Sequence, residues 1–334
     1  MKLLKPVLAP VLAPVLAPVL ALVASFTLAA CNSSDTLSAS DQRVGSTPSS
    51  TGSTAAASST AIPTTDVVSA VKEVAKLHAE LPAAIRSSGV ITLGTTEATG
   101  SSGLPHSGSD ASGTQIGLDV DLRNAVAKVL GVQWKVSYGS FETIVPGTQS
   151  GKYDVGQDNF AVTSERLAVV DFATYLTDGQ GFVAGADSSL DKVTKLTDIC
   201  GHTVSTIAGS SFQEILRAGV DECAKAGLDA YKTKYFSDTS SVILGLQNGR
   251  TDLYFGPTLG DEYLVAHQPN LKFLGQVSST DVGFVTAKGS SLAHVLVAAV
   301  NELIADGEYA KIFAKWDLAG AGIDKSEFDP KPTF

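Results

Sequence analysis

The chain has 334 residues and carries 24 Lys+Arg against 34 Asp+Glu, a formal net charge of −10, with 44% hydrophobic and 7% aromatic residues. That much apolar material excludes a wholly disordered chain and is enough for two domain-sized cores. The acidic balance excludes a nucleic-acid binder, which needs clustered Lys and Arg against phosphate.

Lys2 and Lys5 precede an uncharged stretch from Val7 to Leu28, much of it four Pro-Val-Leu-Ala tetrads. Its length would suit a membrane-spanning helix, but a proline at every fourth position removes helix hydrogen bonds. The stretch ends in Leu28-Ala29-Ala30-Cys31, which resembles a lipobox, the cleavage site of bacterial lipoproteins. We therefore expect a lipoprotein signal peptide over 1–30, removed on export, and Cys31 as the lipidated first residue of the mature chain. The expected location is extracytoplasmic, lipid-anchored to the bacterial cell membrane on its periplasmic or cell-surface side. Residues 31–65 are almost wholly Ser, Thr, Ala, Gly, Pro and Asp and predict a disordered tether. As a coil it would span about 30 Å, from ~5–6 Å times the square root of its length.

Val67, Val71, Val74 and Leu77 recur at helical spacing up to Pro82, which predicts an N-terminal helix over 66–87. From Gly89 onward strands and helices alternate. Strands are expected at 90–93, 134–136, from 154, at 203–207, 252–255 and 280–287. Helices are expected at 119–130, 141–148, 165–170, 212–226, 240–248, 258–267, 292–305 and 309–316. Alternation of this kind predicts an α/β fold with parallel-rich sheets covered on both faces by helices.

Three cysteines are present. With Cys31 lipidated, Cys200 and Cys223 remain, and in an oxidising compartment such a pair forms a disulfide worth about 3 kcal/mol in the chain-entropy model. A metal site is the alternative, but zinc needs three or four ligands, and His202 is the only histidine nearby. No phosphate loop, HExxH or GxSxG motif occurs, and the five histidines (78, 106, 202, 267 and 294) fall in no metal-ligand spacing. No metal, cofactor or catalytic residue is assigned. Ser210-Ser211 reads as a helix N-cap rather than a nucleophile.

Gly117-Leu118-Asp119-Val120-Asp121-Leu122 is where the chain resembles a known family, the family 3 extracellular solute-binding proteins, polar amino-acid receptors of ABC importers. The similarity continues in order through Phe141–Pro146 with Gln149–Asp154, Thr163-Ser164-Glu165-Arg166 with Asp171-Phe172, Ala208–Ser211, Gly249-Arg250 with Asp252, and Asp306–Trp316. It implies a type II periplasmic-binding-protein fold, two lobes joined by a two-strand hinge, with lobe 1 at 88–183, lobe 2 at 184–281, and a return to lobe 1 with the C-terminal helices at 282–334. It also implies a monomer that closes on a small polar ligand, an amino acid or derivative, and delivers it to an ABC permease and its ATPase.

Arg166 matches the family's carboxylate-binding arginine, whose planar fork suits a carboxylate. Ser210 and Ser211 open a helix whose free amides and positive dipole end would complete that site from lobe 2. The chain also departs from its relatives. Ala161 stands in place of a supporting Ser or Thr, and Pro257 in place of the aspartate that holds the ligand ammonium. Glu97 and Asp158 are the candidate substitutes, Asp261 a weaker one, and two acids opposite one arginine would suit a cationic ligand. Gly100, in a loop with extra residues over 100–115, stands where a stacking aromatic is usual, and Phe141 and Phe160 are the candidate apolar walls. Because some relatives on this fold are cyclohexadienyl dehydratases acting on prephenate or arogenate, an enzymatic reading is the alternative.

Overall fold

The computed structural model describes residues 61–334. The expected signal peptide, Cys31 and all but the end of the expected tether lie outside the described residues. No helix among those described is long and apolar enough to cross a membrane.

The elements are, in order, α1 (Ala75–Glu80), α2 (Ala83–Ser88), β1 (Val90–Thr95), β2 (Gly108–Ser109), β3 (Gln115–Ile116), α3 (Leu118–Leu130), β4 (Gln133–Tyr138), α4 (Phe141–Gln149), β5 (Val155–Ala161) and α5 (Ser164–Leu167). They continue as β6 (Val170–Gly185), β7 (Thr203–Ile207), α6 (Ser211–Ala218), α7 (Glu222–Lys225), β8 (Lys232–Phe236), α8 (Thr239–Gln247), β9 (Leu253–Pro257), α9 (Thr258–His267), β10 (Leu271–Ala287), α10 (Ser291–Ala305) and α11 (Glu308–Lys315). Hydrogen bonds link eight strands in the order β4-β1-β5-β10-β6-β9-β7-β8. β6 and β10 pair antiparallel along their whole length, from Ala287 opposite Val170 to Leu271 opposite Gly185. They are the two strands that run through both halves of the molecule.

In the first half β1 pairs in parallel with β4 and β5. One face is buried under α3, α10 and α11 around Leu122, Val126, Leu296, Ile312 and Phe313. The other face is buried under α4 and α5 around Ile144, Phe160 and Phe172. In the second half β7 pairs in parallel with β8 and β9. One of its cores holds Val204, Leu216, Cys223 and Phe255, the other Val183, Val242, Leu246 and Leu264. This is the mixed α/β, two-lobe architecture that the resemblance implied.

The expected helix over 66–87 is instead a strap. Residues 66–74 are not helical, because the Asp66 carboxylate accepts from the Val68 and Ser69 amides and turns the chain. Two short helices follow, and Pro82 starts α2 rather than ending a longer helix. The apolar spacing reports burial all the same, since Val67, Val71, Leu77, Leu81 and Ile85 all enter the first core. The helix expected over 212–226 breaks at Gly219, where a Cβ would stand 2.1 Å from Leu196 Cδ1. Cys223, on the resulting α7, is disulfide-bonded to Cys200, with Cα atoms 5.6 Å apart.

Candidate functional site

In both halves the parallel strands direct their carboxyl ends at the same gap, which is where open α/β sheets hold ligands. A cavity of about 270 Å³ lies there. From the first half it is lined by Thr96 and Glu97 just after β1, by Asp158 and Asn159 on β5, and by Phe141 opening α4. From the second half come Ile207 ending β7, Ser210, Ser211 and Phe212 at the start of α6, and Asp238–Ser240 at the start of α8. Tyr254, Pro257 and Leu264 add an apolar wall.

Of the two candidate acids, Glu97 is exposed at the rim. Asp158 is the desolvated one. Thr96 Oγ1 donates to its Oδ1 at 3.0 Å, while Oδ2 is buried without a partner. Burial pushes its carboxyl up to about 7, with the Asp119 charge adding to the rise and the Thr96 hydrogen bond opposing it. Asp238 is committed to capping α8, accepting from the Ser241 amide at 2.8 Å. Asp261 does not line the cavity. It is fully buried with both carboxylate oxygens unpartnered, and burial holds it well above the ordinary range. Pro257 lines the cavity and precedes α9 as its N-cap residue.

Arg166 is held on α5, whose N-cap Thr163 accepts from the Arg166 amide. Its guanidinium donates to the carbonyl of Ala161 at 2.9 Å and, across the gap, to that of Gly209 at 3.2 Å. It lies over the rings of Phe141 and Phe160, with 5.7 Å and 5.4 Å to their centroids. Desolvation lowers its pKa to about 10, with the Glu214 and Glu165 charges opposing the fall, so it remains a cation at neutral pH. It lines a neighbouring cavity of about 290 Å³ with Glu165, Gln213, Glu214 and Arg217, and Phe141 and Ser210 are shared by the two cavities. Phe160 is fully buried in the core and lines only that second cavity, and Ala161 is buried, its backbone serving Arg166.

Ser210 caps α6, its hydroxyl donating to the Ile207 carbonyl at 2.6 Å and accepting from the Gln213 amide at 3.3 Å. The Ser211 and Phe212 amides have no acceptor among the described residues, which leaves them for an anion. A second contact across the gap joins Ser102 Oγ to Ser240 Oγ at 2.9 Å.

His106, Asn159 and Asp178 join the site without having been candidates from the sequence. Asp178, on β6, accepts from His106 Nε2 at 3.0 Å, Asn159 Nδ2 at 2.9 Å and the Leu259 amide at 3.1 Å. Asn159 stands at φ 50°, a conformation that asparagine tolerates better than most residues. The one available signal was that His106 falls in the extra loop after β1. Among the described residues no group of three His, Cys, Asp or Glu is arranged to hold a metal ion.

The family model for bacterial extracellular solute-binding proteins, family 3, matches residues 97–319. An arginine-binding protein of Corynebacterium glutamicum is 24% identical over 267 residues, 78% of this chain and 84% of that one. A putative ABC transporter arginine-binding protein of Escherichia coli is 26% identical over 226 residues, 66% of this chain and 88% of that one. Among solved structures, an ancestral arginine-binding protein bound to arginine is similar with a TM-score of 0.61 and 30% identity, covering 68% of this chain and 98% of that one.

Proposed function

The chain belongs to the bacterial extracellular solute-binding proteins, family 3, and on that premise we propose that it captures a cationic amino acid, with arginine the first candidate. Members of this family bind solutes outside the cytoplasm, and the dehydratase alternative is not carried forward. In the proposed cycle the protein acts as a monomer tethered through a lipid on Cys31, closes its halves over the solute and hands it to an ABC permease with its ATPase.

One observation carries the choice of ligand charge. Asp158 brings to the cavity a desolvated carboxylate with one oxygen unpartnered, and no lysine or arginine lines that cavity. A buried carboxylate left so is costly, and an ammonium or guanidinium that hydrogen-bonds it recovers the cost. Glu97 adds a second negative charge at the rim. The ligand carboxylate would meet the free amides of Ser211 and Phe212, with Arg166 close by behind Phe141 and fixing the approach of that helix tip through Gly209. The rings of Phe141, Phe212 and Tyr254 suit an aliphatic stem or a guanidinium face. Because the acids come from one half and the helix tip from the other, a zwitterionic solute bridges them, and its differential affinity favours the closed form.

A thermal-shift series tests this. Arginine, lysine and ornithine are expected to raise the unfolding midpoint, glutamine less so, and glutamate not at all. A larger rise with glutamate than with arginine contradicts the proposal.

A further inference from the structure

The loop between β1 and α3 is fastened to the start of α3 by two backbone hydrogen bonds. The Leu118 amide donates to the Pro105 carbonyl at 2.8 Å and the Asp119 amide to the His106 carbonyl at 3.0 Å. Gly117 makes the fit possible, with φ at 132° and a hypothetical Cβ only 2.2 Å from the His106 carbonyl oxygen. The loop thereby delivers the imidazole of His106 to the cavity wall, 6% exposed. There Nε2 faces Asp178 Oδ2 at 3.0 Å, and Nδ1 stands 4.0 Å from Asp119 Oδ1, both of the latter atoms being without a hydrogen-bond partner.

The charged and titratable groups around this ring come from every element packed on it. Asp119 and Arg123 stand on α3, Asp158 on β5, Tyr175 and Asp178 on β6, Tyr254 on β9, and Asp261 and Glu262 approach Asp178 from α9. Nearest the ring, the three carboxylates of Asp119, Asp158 and Asp178 face one guanidinium and one imidazole. The balance is one unmatched negative charge when the imidazole is protonated and two when it is not. Burial alone lowers the His106 pKa, but the hydrogen bond to Asp178 and the charges of Asp178, Asp119 and Asp158 outweigh it and leave the net shift upward.

We propose that His106 is a specificity-determining residue of the binding site, a built-in cation that occupies Asp178 and so limits the acidic floor to a single ligand cation. This rests on the cationic-amino-acid reading above. It makes the loop a charge selector, since a ligand's positive group at Asp158, the one of these carboxylates that lines the cavity, shares with the imidazolium the field of Asp119, Asp158 and Asp178. Ligand binding therefore lowers the affinity of His106 for its proton, and the ring releases protons as arginine enters.

The test is calorimetric titration of the full chain with arginine and with citrulline, an isostere whose side chain is uncharged, at several pH values between 6 and 9 in buffers of differing ionisation enthalpy. Asp158 is common to the wild-type chain and His106→Gln, so proton release present in the first and absent from the second reports on the ring. The wild-type chain is expected to release protons with arginine and few with citrulline. In His106→Gln the release is lost and the preference for arginine over citrulline widens by about tenfold, as expected for one more unmatched negative charge at partly buried range. Equal proton release and an unchanged preference in the variant overturn the role of His106 and leave the proposed function standing. No binding of arginine by the wild-type chain defeats that function itself. Should His106→Gln fail to fold, imidazole titration followed by NMR in the wild-type chain decides. Its midpoint falls when arginine is bound, and an unmoved midpoint overturns the proposal.

Discussion

At the scale of single residues the site is governed by which polar atoms are desolvated and left without partners. Asp158 is the sharpest case, a carboxyl raised to about 7 mainly by burial. A carboxyl whose folded pKa exceeds its unfolded one binds more protons when folded. The free chain therefore loses stability from this group as pH rises from about 4 through 7, and a cationic ligand restores it. Arginine affinity should accordingly fall as pH drops below about 7, because the ligand must then displace a proton. In Asp158→Asn that part of the pH dependence should disappear and affinity fall roughly 10–100-fold, the size of one charge-assisted hydrogen bond. Titration calorimetry between pH 5 and 8 checks both. Arg166 makes a different kind of contribution. Its fork reaches two carbonyls from two separate nitrogens, Ala161 on its own half and Gly209 on the other, a rigid planar geometry that the single nitrogen of a lysine does not reproduce. Both Arg166→Ala and Arg166→Lys are expected to abolish most of the arginine-induced thermal stabilisation, and retention of full stabilisation in either would remove Arg166 from the binding cycle.

Local elements explain which parts of the fold could be read in advance. α3, α9 and α10 were legible because each is long enough to show its apolar stripe between clear boundaries, such as Gly117 and the left-handed Gly131 at the ends of α3. Of the crossing strands only the end of β10, expected at 280–287, was legible in advance. β6 runs through Thr174, Thr177, Asp178 and Gln180, and β10 through Lys272, Gln276, Ser278 and Asp281, polar residues whose place in a strand is decided by pairing with a distant segment. His106 and Asp178 escaped for the same reason, since their 3.0 Å contact joins positions 72 residues apart. The family motif Gly117–Leu122 was visible as a string, but its local job, receiving the inserted loop, needed coordinates. Gly117→Ala should destabilise the chain by about 1–3 kcal/mol through strain and collision with His106, read as a fall of roughly 2–10 °C in the unfolding midpoint. The Cys200–Cys223 bridge pins α7 to the turn before β7, and Cys200→Ser with Cys223→Ser should cost about 3 kcal/mol by denaturant unfolding. Because neither cysteine lines the cavity, arginine affinity under native conditions should remain close to that of the parent chain.

For the whole molecule, the arrangement of acids and amides matters more than any one of them. Glu97, Asp158 and His106 belong to the half built on β1 and β5, whereas Ser211 and Phe212 belong to the half built on β7 and β9. β6 and β10 are the continuous strands between them. A solute with charges of both signs can thus be satisfied only when the halves are together, and the contacts Arg166–Gly209 and Ser102–Ser240 are available only then. The most direct measurement is a crystal structure of the chain with arginine bound. The account predicts the solute between the halves, a positive group within hydrogen-bond distance of Asp158 Oδ2 and the carboxylate at the Ser211 and Phe212 amides. Arginine lodged on one half alone, or with its carboxylate turned toward Asp158, would contradict it.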